Sequence, residues 1–303
     1  MNTIFSFCNQ KGGVGKTTSV LNIGTVLANS GCQVLILDMD AQGNATSGLG
    51  EEKPPIESTA YQLIVENTPA EELVKRTAID NLWIIPSSLE LAGAELELVH
   101  HANREFRLRE KLKKLSRRYD FILIDCPPSL GLITINCLTT SRYIFIPLQC
   151  EYYALEGLGQ LLHTYQLVKN NLNADLEVGG VLLTMADRRT NLTQQVIAEV
   201  RKYFREKVFQ SVIPRSVRLS EAPSFGKPAV LYDPQCRGSQ CYVEAGREFI
   251  QRFGVTSVDL EKNMPEKSLQ ANNEMGKMVS EKAGVAAGAS FSGETMNREE
   301  ASL

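Results

Sequence analysis

The 303-residue sequence has no run of 18 consecutive apolar residues, so it offers no segment suited to crossing a bilayer as a helix. Met1-Asn2-Thr3 leads straight into an apolar strand, without the basic segment and long apolar stretch of a secretory leader, and a cytoplasmic protein is expected. Cysteine is present but unpatterned. Seven residues, an odd number with no repeated spacing and no C-x-x-C, argue for reduced thiols and against a disulfide framework. Cys236 and Cys241 lie five apart, but no second His or Cys pair stands near them to complete a zinc site. Internal repeats are absent. A net charge of −3 gives the chain as a whole no pull toward nucleic acid.

What is present begins with a strand, a loop and a helix. Residues 4–8 are apolar and are followed by Lys11-Gly12-Gly13-Val14-Gly15-Lys16-Thr17-Thr18. Val20, Ile23 and Leu27 then recur at helical spacing until Asn29-Ser30-Gly31 supplies a glycine for a left-handed cap. A loop that wraps phosphates must turn its own N–H groups inward, through backbone angles and close approaches that side chains obstruct; Gly12, Gly13 and Gly15 meet that need. Lys16 is placed to reach β- and γ-phosphates, Thr17 to offer a hydroxyl to Mg²⁺, and the helix N-terminus to face the anion. A nucleoside triphosphate site is therefore expected here. Gln10 stands where the ordinary phosphate loop has its first glycine, and Lys11 is an additional lysine.

Residues 33–37 form a nearly continuous apolar run, as expected of a parallel strand covered on both faces, and it delivers Asp38 and Asp40 to its carboxyl end. Two carboxylates beside a triphosphate require either a cation between them or a proton-accepting role. Phe121–Asp125, followed by Cys126-Pro127-Pro128, has the form of a Walker B strand whose Asp125 holds Mg²⁺ through water; capping the next helix is its plainer alternative. Apolar strands at 82–86, 143–148 and 178–185 alternate with helical segments. The pattern predicts an α/β P-loop NTPase with a doubly wound, mostly parallel sheet and helices on both faces. Residues 51–80, Glu-rich with prolines, read as short surface helices. Leu108, Leu112 and Leu115 make one apolar stripe, and a helix over 190–207 places Val196, Val200 and Tyr203 on one side.

Charge is segregated along the chain. Residues 104–118 carry eight Arg or Lys against two Glu, which reads as a solvated face or as contact with an acidic partner or DNA. Residues 184–227 carry nine basic side chains against four acidic, a bias that concentrates positive field and attracts phosphates without reading sequence. Arg188, Arg189, Arg215 and Arg218 fall at strand ends or loops within it. Beyond 254 the composition shifts to Glu, Lys, Ser, Ala, Gly and Asn, so 255–303 reads as a disordered tail and 1–254 as the folded domain.

The form K-G-G-x-G-K-T-[ST], together with D-x-D-x-Q-G-N-A-T from Asp38 and the turn Gln149-Cys150-Glu151-Tyr152-Tyr153-Ala154-Leu155-Glu156-Gly157, resembles the ParA/MinD family of deviant Walker A ATPases over about 1–254. The stretch 213–224 is similar to its chromosomal branch, often called Soj. The resemblance implies an ATPase of chromosome or plasmid partitioning that uses ATP and Mg²⁺ and forms a homodimer on ATP binding. It places nucleotide on 11–18, Val14 and Thr18 included. Lys11 would reach the partner's nucleotide, Lys16 and Asp40 would be catalytic with Asp40 positioning the attacking water, and Thr17, Asp40 and Asp125 would serve the metal. Asp38 would support Asp40 or merely cap the turn. Pro214 and residue 216 would hold the adenine, and this chain has Ser216 where many relatives have Asn. Arg189 and Arg218 match positions that contact DNA without base specificity, surface ion pairs being the plainer alternative. A ParB-type partner with a stimulating basic N-terminal peptide, non-specific duplex DNA and a nucleoid-associated location follow from the same likeness. The alternative is a MinD-like positioning ATPase at the membrane, but the tail lacks that group's basic amphipathic helix. A cluster-bridged protein like the nitrogenase iron protein would need a cysteine spacing that Cys126 and Cys150 do not have.

Overall fold

Nearly continuous apolar runs separated by glycine- and polar-rich turns force the chain into a layered sheet, since each strand must be covered on both faces. The computed structural model describes residues 2–51, 58–66, 68–151, 154–187 and 189–254. In chain order these form β1 (Thr3–Phe7), α1 (Lys16–Asn29), β2 (Val34–Asp38), α2 (Asn44–Gly48), α3 (Ala60–Ile64), α4 (Ala70–Leu73), β3 (Lys75–Arg76), β4 (Leu82–Ile85), α5 (Ala94–Leu98), α6 (Arg107–Leu112), β5 (Phe121–Asp125), α7 (Leu132–Thr140), β6 (Tyr143–Gln149), α8 (Ala154–Asn171), β7 (Glu177–Ala186), α9 (Asn191–Phe204), β8 (Val208–Pro214), α10 (Val217–Glu221), α11 (Ala229–Tyr232) and α12 (Arg237–Phe253). The sheet order is β3-β4-β2-β5-β1-β6-β7-β8, parallel except that β3 runs antiparallel to β4.

Every residue of β2 and β5 is buried, as two-sided coverage requires. The register pairs Phe7 with Asp125 and Asp38 with Asp125, so the carboxyl ends of β1, β2 and β5 are level. From β1 the chain moves one way to β2, and from β5 it crosses back over β1 to β6. The crevice above β1 is therefore the topological switch point, where open α/β sheets bind ligands.

Alternation along β1 sorts the two layers. Ile4 packs on the core that includes Ile122, Ile124, Ile144 and Ile146, whereas Phe5 and Phe7 face the other way. Phe5 lies 4.6 Å from Phe249 of α12 and Phe7 4.6 Å from Phe145, within an aromatic layer that continues to Phe209. Helix α12 also packs on α1, the helix that follows the phosphate loop. Their close approach depends on Gly246, where a Cβ would overlap Val26 Cγ1. Gly246→Val is expected to cost about 1–3 kcal/mol from overpacking and to lower the melting temperature by roughly 3–10 °C, measured by thermal denaturation.

Four sequence expectations change. The stretch 58–73 is not superficial, because Ala60, Leu63, Ile64 and Leu73 are buried in the main core. Helix α9 stops as an α-helix at Phe204, where Arg205 takes φ 50°, and a 3-10 turn over Arg205–Lys207 leads into β8. The buried side of α9 is Val196, Val200 and Phe204, while Tyr203 is 69% exposed. The basic stretch 104–118 is not uniformly solvated. Arg107 donates to the carbonyls of Ile64 (2.6 Å) and Val65 (2.7 Å), Lys111 donates to that of Thr68 (3.3 Å), and Arg117 lies 3.8 Å over the Trp83 ring. Part of that charge is thus a fastening for 61–83, and Lys113, Lys114 and Arg118 remain exposed. The tail expected over 255–303 and Arg188 lie outside the described residues. No helix among the described residues is long and apolar enough to cross a membrane.

Candidate nucleotide site

The loop leaving β1 is built from two left-handed glycines and three anchors. Gly13 (φ 72°) and Gly15 (φ 88°) occupy the left-handed region, and Gly15 caps α1, so both need glycine for backbone reasons. Asn9 donates to the Pro147 carbonyl at 2.8 Å and accepts from the Lys11 N–H at 3.0 Å. Thr184 Oγ1 donates to the Val14 carbonyl at 2.8 Å. The loop is thereby pinned to β6 and β7, with Val14 buried beneath it.

Above the loop opens a cleft of about 810 Å³. Of the predicted residues it is lined by Gly12, Gly13, Gly15, Lys16, Thr17, Thr18, Asp40, Pro214 and Ser216; Lys11, Val14, Asp125, Arg189 and Arg218 do not line it. Gln42, from the motif that begins at Asp38, and Arg215 also line it, as do Thr184, Met185 and Tyr242, which no motif singles out. Lys16 is 7% exposed and opens α1, so its charge is held within the cleft wall.

Thr17 Oγ1 donates to Asp125 Oδ2 at 2.7 Å. Asp125 is fully buried, and among the described residues its Oδ1 has no hydrogen-bond partner. Burial, reinforced by the nearby Asp38, pushes its carboxyl well above the usual carboxylate range. A buried carboxylate oxygen with no partner is costly, and a hydroxyl beside a carboxylate is the hard oxygen set that suits Mg²⁺ with part of its water shell. These residues fit the metal.

Asp38 works differently from Asp40. It is buried, its Oδ2 accepts from Thr46 N–H (2.8 Å) and Thr46 Oγ1 (2.7 Å), and its Oδ1 accepts from Asp40 N–H (3.2 Å). Burial raises it to about 6 against the opposing pull of those bonds. Asp38 therefore organises the turn, the plainer of the two roles open to it. Asp40, half-buried, lines the cleft and accepts from Gln42 N–H at 3.1 Å. Thr46 Oγ1 in turn accepts from Ser87 N–H at 3.0 Å, which ties α2 to the end of β4.

Lys11 stands at the rim, where its Nζ pairs with Glu151 Oε2 at 3.0 Å. Glu151 Oε1 holds Arg215 Nη2 at 3.2 Å and also accepts from Gln149 Nε2. This three-way contact joins residues 140 apart in sequence and has no local signal. The two arginines matched to DNA contacts are on the surface. Arg189 is 89% exposed and pairs with Asp187 at 2.7 Å, holding that carboxyl near 2. Arg218 pairs with Glu221 at 3.0 Å and Asp233 at 3.4 Å. Screened by solvent, such pairs contribute little, so either guanidinium is free to exchange its carboxylate for a phosphate. Cys126 and Cys150 are buried in the core, not displayed on a face. Cys236 caps α12, accepting from Ser239 N–H at 3.4 Å.

A family model described as an AAA domain matches residues 2–178. The sporulation initiation inhibitor protein Soj of Bacillus subtilis is 56% identical over 248 residues, which is 82% of this chain and 98% of that protein. The chromosome partitioning protein ParA of Myxococcus xanthus is 52% identical over 249 residues, covering 82% and 88%. Among solved structures, cobyrinic acid a,c-diamide synthase from Mycobacterium smegmatis with bound ADP and magnesium superposes with a TM-score of 0.72 at 33% identity, over 83% of this chain and 95% of that one.

Proposed function

The chain belongs to the ParA/MinD family on its Soj and ParA side, and from that premise we propose that it is a Mg²⁺-dependent ATPase of chromosome or plasmid partitioning whose ATP-bound form is a DNA-binding homodimer. The observation that carries the reading is that Thr17, hydrogen-bonded to Asp125, and Asp40 line one cleft together with the glycine loop. The loop N–H groups and Lys16 bind and orient the triphosphate, and Pro214 and Ser216 wall the base. Thr17 and Asp125, with Asp40 near by, would hold Mg²⁺, which when bound neutralises charge on the phosphates. Asp40 orients the attacking water, while Lys16, and Lys11 from across the dimer, stabilise charge on the transferred phosphoryl group. Hydrolysis then dissolves the dimer and its hold on DNA.

A ParB-type protein is the partner that stimulates turnover, and non-specific duplex DNA of the nucleoid is the surface that the dimer samples, with Arg189 and Arg218 as phosphate contacts. The test is duplex binding with ATP, with ADP and without nucleotide, beside a liposome control. Binding is expected only with ATP. In the Arg189→Ala/Arg218→Ala variant the slope of log affinity against log salt is expected to flatten by roughly 2–4, as four lost contacts per dimer imply. An unchanged slope would remove these arginines from the interface.

A further inference from the structure

Residues 89–99 carry apolar side chains on two opposite faces. Leu91, Ala94 and Leu98 are buried in the core. Leu89, Ala92, Leu96 and Val99 recur at i, i+3, i+7 and i+10 and all face solvent, Leu96 at 78% exposure and Leu89 at 65%. The run is a 3-10 turn at Leu89–Ala92 that passes through Gly93 into α5, with Gly93 N–H on the Glu90 carbonyl and Leu96 N–H on that of Gly93. Four exposed apolar side chains aligned on one face present a surface on which a second helix can pack.

The surroundings of the stripe are acidic. Glu90 and Glu97 are exposed beside it, and Tyr61 donates its hydroxyl to Glu97 at 2.9 Å. The bond to Glu97, then burial, then the charges of Glu97, Glu66 and Glu90 hold that hydroxyl above its usual range. Arg104, at the far end, is engaged with the Val99 carbonyl and Glu105. The run and the residues just before it are tied to α2, which follows the turn after β2, and to α7, which follows β5. Just upstream, Ser87 N–H donates to Thr46, which donates to Asp38. Within the run, Glu95 Oε1 accepts from Ile133 N–H at 3.2 Å, in the first turn of α7, the helix that follows Asp125 and Pro128.

We propose that the stripe Leu89, Ala92, Leu96 and Val99 docks a basic amphipathic helix of a partner protein, about three turns long, and that Ser87–Thr46 and Glu95–α7 convey its docking to Asp40 and Asp125. The inference rests on the reading that a partner stimulates hydrolysis. Charge selects the occupant. An anionic bilayer is repelled by Glu90 and Glu97, and a second copy would bring the same carboxylates against each other.

The test uses a fluorescent helical probe of about 18 residues with Leu along one face and Lys or Arg beside them, and a twin with Glu in place of the basic residues. Anisotropy is read on the full chain with ATP. The basic probe is expected to bind, to weaken at least about tenfold on Leu96→Asp/Val99→Asp, and to be exchanged for the acidic twin on Glu90→Lys/Glu97→Lys. Equal binding of the basic probe to all three proteins, or equal binding of both probes to the unaltered one, would overturn the proposal. So would self-association in sedimentation, or vesicle binding, that the Asp variant abolishes. Circular dichroism and ATP binding verify that each variant is folded. A ParB-type partner is expected to stimulate the unaltered chain and not the Asp variant. Stimulation of both alike overturns the docking site but keeps the partner; stimulation of neither, with the probe exchange intact, keeps the docking site and removes that partner.

Discussion

Asp40→Ala is expected to bind ATP and to dimerise while hydrolysing the nucleotide about 10²–10⁴-fold more slowly, the usual loss when a group that positions a proton-transferring water is removed. Asp40 lines the cleft, and its carboxylate serves the turn only by accepting from the Gln42 N–H among the contacts described above, its own N–H bond to Asp38 being kept in the alanine variant. The turn itself hangs on Asp38 and Thr46, so truncation leaves the phosphate loop and α2 in place. Asp40→Asn separates charge from shape, because its amide oxygen still accepts from Gln42. An equal loss in that variant assigns the effect to the carboxylate. Asp38→Ala is expected to behave otherwise, losing about 1–3 kcal/mol of stability by stranding the donors of Thr46, along with ATP binding. Single-turnover hydrolysis beside analogue binding distinguishes the two. Near-normal turnover in Asp40→Ala would remove it from the chemistry.

The centre of the molecule was legible because its signals are local. Residues 121–125 and 34–38 are short apolar runs ended by Asp, and the phosphate loop declares itself within eight residues. Legibility fails where structure depends on distant partners. β3 is two polar residues, Lys75 and Arg76, that become a strand only by pairing with Ile84 and Trp83. β8 is hidden because only a three-residue 3-10 turn, Arg205–Lys207, separates it from α9, and the helix is broken by Arg205, a basic residue in a conformation usually marked by glycine. The span 58–73 looked superficial for its Glu and Pro, yet its apolar residues meet the core, and Arg107 holds its carbonyls from 43 residues away. In the site, Thr17 and Asp40 announce themselves, whereas Glu151 is legible only as part of a family turn, and its pairing with Lys11 appears only when the fold brings the two together.

That contact makes Lys11 the position where the monomer and dimer roles meet. Within one subunit its ammonium is paired with Glu151 while both side chains are about two-fifths exposed, an arrangement that stabilises by no more than about 1 kcal/mol. Across a dimer the same ammonium would bond to phosphate away from water, and charge-assisted bonds of that kind contribute about 1.5–3 kcal/mol each. The exchange is therefore favourable, and two such lysines act in a symmetric pair. Lys11→Ala is expected to leave ATP binding to the monomer within a few-fold, since Lys11 does not line its own cleft, and to weaken ATP-dependent dimerisation by roughly 10²–10⁴-fold, abolishing DNA binding with it. Sedimentation with a slowly hydrolysed analogue measures this directly, and dimerisation as tight as in the unaltered protein would end the cross-subunit role. Glu151→Gln gives the opposite sign. With the pair in the subunit weakened and Arg215 still at the cleft, dimerisation is expected at several-fold lower protein concentration, because Lys11 no longer has to leave a carboxylate to reach its partner's phosphates.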